Sequence, residues 1–269
     1  MAARDTSMAS AAGSLHPTHD NGGDGTGLYM QDEHMNGRHI NGLHINDVTL
    51  IRGDNILQRH ITHHIAPGNM TVVTGPNGCG KSSLLRAVAG RLELPSGEFA
   101  SGGLPGGSIH CSVPIIYVGH TDGLSPVLDG RSNLANWAAI NNVPAHPAAI
   151  DEAVTEFKAS GFARLPVAML SRGQRRRIAL CRLLLGAPGA LWLLDEPNVG
   201  LDSAAMDRLD DAIARHLNNG GMVLAATHLP LGPKPDKDTG KTHPAVQHLA
   251  LQHFALADHG ALADHGAQS

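Results

Sequence analysis

Apolar and polar residues alternate through LHINDVTLI, Leu43 to Ile51, and the β-branched side chains there predict a strand with one buried face. Gly53, Asp54 and Asn55 mark a turn, and Ile56 to Ile65 reads as a second strand, ending before a Pro67-Gly68 turn. The pattern then changes. Met70 to Thr74 is short and continuously apolar, as are Ile115 to Val118, Leu191 to Leu194 and Met222 to Thr227, which predicts strands buried on both faces. Helical periodicity separates them. The clearest helix has Ser203 as its expected cap, runs through Met206 and Leu209 to Leu217, and stops at Asn219-Gly220-Gly221. Buried strands alternating with helices predict an α/β fold with a mostly parallel sheet, whose ligands bind at the strands' carboxyl ends.

The two ends lack this patterning. Residues 1–41 are rich in Gly, Ala, Ser, His and Asp without periodicity and are expected to be a disordered tail. Asp5, Asp20, Asp24, Asp32 and Glu33 argue against a targeting peptide, which would be poor in acids. In the expected C-terminal segment, 233–269, ALADHG occurs twice in tandem from Ala255 to Gly266, too short for a repeat fold and read as low complexity.

Composition narrows the class. A chain of 269 residues with 42% hydrophobic content can bury one large core, and a net charge of −4 offers no basic surface for nucleic acid. Cys79, Cys111 and Cys181 form no CxxC pair, which argues for a reducing compartment and against a structural zinc site. The longest apolar stretch, Ile178 to Leu194, is interrupted by Arg182, Gly186, Pro188 and Gly189 and does not span a bilayer. Work at a membrane would require another chain to cross it.

Three constellations carry candidate chemistry. GPNGCGKSS starts at Gly75, after the Met70–Thr74 strand and before the helix formers LLRAVAG. Gly75, Gly80, Lys81 and Ser82 satisfy GxxxxGK[ST], with Pro76, Asn77, Gly78 and Cys79 between them. Glycines let backbone N–H groups turn inward around phosphates, and the helix N-terminus adds its positive dipole end. Lys81 then reaches the β and γ phosphates, Ser82 is a Mg²⁺ ligand, and Ser83 offers a hydroxyl to the α phosphate. In LWLLDEP, four apolar residues end in Asp195 and Glu196, where a buried strand emerges. Asp195 is placed to hold Mg²⁺ through water, and Glu196 to polarise a water aimed at the γ phosphate. In LSRGQRRRIALCRLL, Ser171 and Gly173 open a helix and make a second anion site. A second phosphate site is redundant in a monomer, but not where it faces a nucleotide held by another copy.

With these motifs in order, the chain resembles the nucleotide-binding subunits of ABC transporters over roughly Leu43 to Leu229. GPNGCGKSS matches Walker A, LSRGQ (Ser171, Arg172, Gly173, Gln174) the signature, LLDEP Walker B, Val199 to Asp202 the D-loop, and His228 the switch histidine. The resemblance implies a P-loop NTPase (RecA-like core) with an antiparallel β portion over Leu43 to about Ile65 and a helical subdomain around residues 131–171, all within a nucleotide-binding domain at 42–232. It also implies ATP and Mg²⁺ as cofactors and a homodimer in which two ATP molecules lie between Walker A of one copy and the signature of the other, driving integral membrane subunits.

Three positions depart from the common pattern. His120, in YVGHTDGL, replaces the Q-loop glutamine; imidazole can ligate Mg²⁺ but suits a hard ion less well. Arg52 replaces the adenine-stacking aromatic, and a guanidinium can stack on adenine or be a plain turn residue. Arg172 stands where most relatives carry glycine. GHTDGL, Arg52, LLLGAPGALWLLDEPNVGLD and THLPL together resemble the ATP-binding subunits of the haem exporters of c-type cytochrome maturation. That resemblance implies haem as the indirectly transported substrate and a peripheral position on the inner face of a bacterial or mitochondrial inner membrane. The alternatives are another transport substrate, a soluble ABC ATPase, or a scaffold without turnover.

Smaller expectations complete the reading. Cys79 is expected as a small filler residue, and adjacent His63 and His64 face opposite sides of a strand and chelate no common metal. His248, His253, His259 and His265 lack i,i+4 spacing, and Arg175 to Arg177 is read as a solvated face with a conformational role.

Overall fold

The computed structural model describes residues 42–101, 113–233 and 246–252, so the expected N-terminal tail, Cys111 and the ALADHG pair lie outside the described residues. In chain order the elements are β1 (Leu43–Arg52), β2 (Asn55–Ile65), β3 (Met70–Thr74), α1 (Lys81–Val88), β4 (Ser96–Ser101), β5 (Ile115–Val118) and α2 (Gly130–Ile140). They continue with α3 (Pro147–Glu156), a 3₁₀ turn (Val167–Met169), α4 (Arg172–Leu180), α5 (Arg182–Leu185), β6 (Leu191–Asp195), α6 (Ser203–Asn218), β7 (Met222–Ala226) and β8 (Val246–Ala250).

Two sheets result. β2-β1-β4 is antiparallel, and β5-β6-β7-β3-β8 is parallel throughout. Three of the short apolar runs, β3, β6 and β7, occupy the middle of the parallel sheet, where every residue of β6 and β7 is buried, and the fourth, β5, lies on its edge. Alternation still operates inside those runs. Leu191, Leu193, Met222 and Leu224 point to the side shared with β1, β2 and α1, whereas Trp192, Leu194, Val223 and Ala225 point to the side shared with α2, α3, α4 and α6. Each fully buried aliphatic side chain contributes about 1.5–3 kcal/mol by leaving water, so a sheet loaded on both faces is the scaffold that holds its strand ends still.

The structure differs from the sequence expectations at identifiable places. Asp202, not Ser203, caps α6: its side chain accepts from the Ala205 amide at 2.9 Å, and Ser203 is the first helical residue. Asn55 opens β2 instead of closing the turn, and Thr227 falls just past β7. β4 and β8 carry no continuous apolar run, because one contains Gly97 and the other is an edge strand with three of its five residues exposed. β8 lies beyond residue 232, so the sheet extends past the expected end of the nucleotide-binding domain, and His248 pairs in register with Val72. His63 and His64 do part company, His63 meeting Thr71 Oγ1 at 2.9 Å and His64 stacking on His44.

One buried histidine carries a consequence for stability. His216 of α6 stacks on Trp192 at 3.8 Å with an interplanar angle of 7°, and one ring nitrogen meets the Ala190 carbonyl at 2.9 Å. Burial lowers its pKa, because the charged imidazolium would lose water, against a smaller opposing pull from the backbone of Ala190 and Met222. The unfolded chain therefore binds the extra proton first: the stability from neutral His216 is complete above the ordinary imidazole value of about 6.5 and declines as pH falls toward the depressed value. Denaturant unfolding between pH 7.5 and 5 is expected to show this decline, and His216→Phe, which keeps a ring against Trp192, to make the slope shallower. An unchanged slope would contradict the assignment.

Candidate nucleotide-binding site

The carboxyl ends of β3, β6 and β7 meet one cavity of about 500 Å³, within the size range of small-molecule sites. β3 delivers the glycine-rich loop. Gly75, Gly78 and Gly80 have φ of 143°, 83° and 109°, the left-handed half of backbone space where a side chain is strained. At Gly75 an added Cβ would also lie 2.2 Å from the Leu251 carbonyl oxygen, so the loop closes against the segment after β8 only because no side chain is there. Gln58 of β2 fixes the loop from below, its Nε2 donating to the Cys79 carbonyl at 2.8 Å and to the Gln252 carbonyl. Cys79 itself is buried in the core, as a filler residue would be.

Lys81 is buried, and its Nζ donates to the Gly75 and Pro76 carbonyls at 2.7 and 3.0 Å. An ammonium has three donors, so one remains for an anion in the loop. Asn77, Gly78, Gly80, Lys81, Ser82 and Ser83 all line the cavity.

β6 delivers the acids. Asp195 is the last residue of the strand and only 1% exposed; its Oδ1 accepts from the Ser82 hydroxyl at 2.9 Å, and its Oδ2 has no hydrogen-bond partner. A buried carboxylate oxygen without a donor is costly unless a cation satisfies it. Among the described residues no group of three His, Cys, Asp or Glu forms a metal cage, so a cation here would take further ligands from phosphate and water. Hard oxygens from Ser82 and Asp195 suit Mg²⁺ in that setting.

Glu196 follows in the left-handed region, φ 48°, a conformation that costs of order 1–3 kcal/mol for a non-glycine residue and persists only where its surroundings impose it. Its amide donates to the Ala226 carbonyl at 2.8 Å, and its Oε1 lies 3.5 Å from His228 Nε2. His228, just past β7, also meets Asn77 Oδ1 at 3.1 Å, so the imidazole bridges the acid and the phosphate loop. Thr227 seats that turn by donating to Asn198 Oδ1 at 3.1 Å and accepting from the Leu229 amide.

Arg52 and His120 reach the same cavity; of its remaining walls, Val199 belongs to the D-loop and Leu229 to THLPL, and Leu57 has no motif to announce it. The signature residues are elsewhere. Ser171 caps α4 in a capping box with Gln174, each side chain accepting from the other's backbone amide. An added Cβ on Gly173 would lie 2.6 Å from the Gly200 carbonyl oxygen, which makes glycine a packing requirement there. Asp202 pairs with Arg177 at 2.5 Å, and its carboxyl is held below the ordinary carboxylate range first by the capped Ala205 amide and then by Arg177. Arg172 lines a small hollow with His120, Asp122 and Glu196 rather than the main cavity.

The reading of Arg175 to Arg177 as a solvated face is corrected. Arg176 is 3% exposed, Arg175 donates to the Leu170 carbonyl at 2.6 Å, and Arg177 holds Asp202. The missed signal is periodicity: Arg176 lies three and four residues before Ala179 and Leu180, on the face of α4 that is buried.

A phosphate loop facing an acid-tipped strand across one crevice defines a P-loop nucleotide-binding domain. The ABC transporter family profile matches residues 58–199, and the chain belongs to that family as an ATP-binding, ATP-hydrolysing subunit. It is 40% identical over 217 residues to the cytochrome c biogenesis ATP-binding export protein CcmA of Rhodospirillum rubrum, covering 78% of this chain and 85% of that one. It is 38% identical over 216 residues to the protein of the same name in Paramagnetospirillum magneticum, covering 79% and 94%. Among solved structures, an ABC transporter ATP-binding protein from Pyrococcus furiosus has the same fold, with a TM-score of 0.62, 22% identity and coverage of 78% of this chain and 96% of that one. A dimeric ATP-binding cassette in a post-hydrolysis state with ADP and Pi gives 0.59, 22%, 70% and 88%.

The Gly173–Gly200 contact yields a direct test. Gly173→Ala must displace backbone and is expected to cost about 1–3 kcal/mol of stability and to lower ATP turnover. Gly161→Ala, with nothing within 4 Å of the new methyl, is expected to change neither. Equal behaviour of the two in thermal melts and turnover would refute the packing role.

Proposed function

We propose that this chain is the ATPase subunit of an exporter serving c-type cytochrome biogenesis, with haem carried, or released from a chaperone, by membrane-spanning partner subunits. The observation that carries the catalytic part is the Ser82–Asp195 bond with its unsatisfied Oδ2, set beside Glu196 and His228 at the mouth of the phosphate loop. The export assignment rests on the CcmA relatives, whose whole length is nearly matched.

In this reading the triphosphate lies along the loop from Gly75 to Ser83, with Asn77 to Gly80 supplying backbone amides, Pro76 shaping the turn, and Lys81 the charge. Ser82 and Asp195, with His120 on the same wall, would hold Mg²⁺, which would supply neutralisation of the charge that develops on the β and γ oxygens. Glu196 accepts the proton of the attacking water, and His228, bridging to Asn77, holds the acid and the γ phosphate in line. Arg52 flanks the adenine. Residues 42–232 with β8 form the nucleotide-binding unit, and the helical portion around 131–171 presents the signature.

Ser171, Arg172, Gly173, Gln174 and Asp202 lie away from this cavity, so they act on a nucleotide held by a second copy in a head-to-tail homodimer. Among the described residues no helix is long and apolar enough to cross a membrane, and the subunit would sit peripherally, on the cytoplasmic face of a bacterial inner membrane or the matrix face of a mitochondrial one.

Glu196→Gln removes the proton acceptor and keeps the shape. With Mg-ATP it is expected to sediment as a dimer while turnover drops by about a hundred-fold or more, and the wild-type complex with its membrane partners is expected to retain haem absorbance. A variant that hydrolyses normally would overturn the role of Glu196, and a complex that hydrolyses without retaining pigment would point to another substrate.

A further inference from the structure

We infer that Arg176 is a positioning residue for hydrolysis: its guanidinium locks the backbone of the catalytic acid to the signature helix and to the His120 loop. This rests on the ATPase reading above.

A guanidinium has five N–H donors, and in Arg176 they meet five acceptors. Nε donates to the Pro197 carbonyl at 3.0 Å, and Nη2 to the Asp195 and Glu196 carbonyls at 3.0 and 2.8 Å. Nη1 donates to the Gly119 carbonyl at 2.7 Å and to Asp122 Oδ1 at 3.2 Å. Three consecutive carbonyls at the end of β6 and two groups of the β5–α2 loop thus converge on one side chain that starts in α4. Burial pulls its pKa down while Asp122 pulls it up, the expected balance for an enclosed guanidinium with one charged partner.

The target of the clamp matters most. Glu196 has φ 48°, and its peptide is held on both sides, the amide by Ala226 of β7 and the carbonyl by Arg176. That two-sided hold accounts for a strained conformation at the residue whose carboxylate must face water and γ phosphate. Gly119 and Asp122 flank His120, and Arg182 adds bonds from the next helical turn to the Asp122 and Gly123 carbonyls at 2.9 and 2.8 Å. The His120 loop, the acid and α4 are therefore one bonded unit, and a shift of the signature helix is carried to the catalytic backbone without passing through the nucleotide.

Lysine at 176 has three donors where five are used, and glutamine has two. In the full chain, Arg176→Lys and Arg176→Gln are expected to lower kcat by about ten- and a hundred-fold, the scale of misplacing a reacting group by up to an ångström, while the KM for ATP moves less than about three-fold. Asp122→Asn keeps every backbone acceptor and is the mild variant for the case in which the others fold poorly; a smaller kcat loss at constant KM is expected. Amide exchange by NMR gives a readout free of turnover: the Glu196 amide should exchange faster in Arg176→Gln, with Val223 to Ala225 of β7 unchanged. Parallel loss of ATP affinity, kcat and β7 protection would make Arg176 merely structural and overturn the inference, as would wild-type kinetics with wild-type exchange. Absence of turnover in the wild type would remove the ATPase reading itself, and faster Glu196 exchange would then still establish the clamp.

Discussion

The hydrogen bond from the Ser82 hydroxyl to Asp195 joins parts of the chain that are 113 residues apart, and the site depends on it. β3 and β6 are not neighbours: β7 lies between them in the sheet, which puts the loop-bearing and acid-bearing strand ends two strand spacings, about 10 Å, apart. That gap is the crevice. A serine at the first turn of α1 and an aspartate at the last residue of β6 reach across it, and each leaves an oxygen lone pair turned to the same space. The sheet's rigidity is what makes the reach reproducible, since both faces of β6 and β7 are packed with buried side chains.

The middle strand does more than separate its neighbours. Its last residue, Ala226, accepts the Glu196 amide, and the turn beyond it carries His228 to within reach of both Glu196 and Asn77. The acid therefore takes its place from backbone bonds on either side. Its carboxylate is free for chemistry because its main chain is fixed, which is how a left-handed glutamate persists at the end of a strand.

The sequence made the sheet legible because burial of its strands writes short continuous apolar runs: Met70–Thr74 in the middle of the sheet and Ile115–Val118 on its edge, where alternate residues are half-buried, both match the structure residue for residue. β4 and β8 left no such trace, one being interrupted by glycine and the other lying on an edge with an exposed face. The phosphate loop was legible because its glycines answer a backbone demand that few other residues meet. Arg176 was not: a run of three arginines reads as surface charge, and only the geometry shows carbonyls converging on the middle one. Asp202 was legible as part of a motif but not as the cap of α6, since the neighbouring serine offers a similar oxygen.

The signature helix shares no wall of the main cavity, as the proposed head-to-tail dimer requires, whereas Ser82, Asp195 and the phosphate loop all lie within one copy. Mn²⁺ is a spectroscopic stand-in for the ion that Ser82 and Asp195 would share. Titration followed by electron paramagnetic resonance should show the wild-type chain taking up one Mn²⁺ per subunit only when ATP is present, and Asp195→Asn losing that uptake while remaining folded. Tight Mn²⁺ binding without nucleotide, or undiminished uptake in Asp195→Asn, would contradict the site described here.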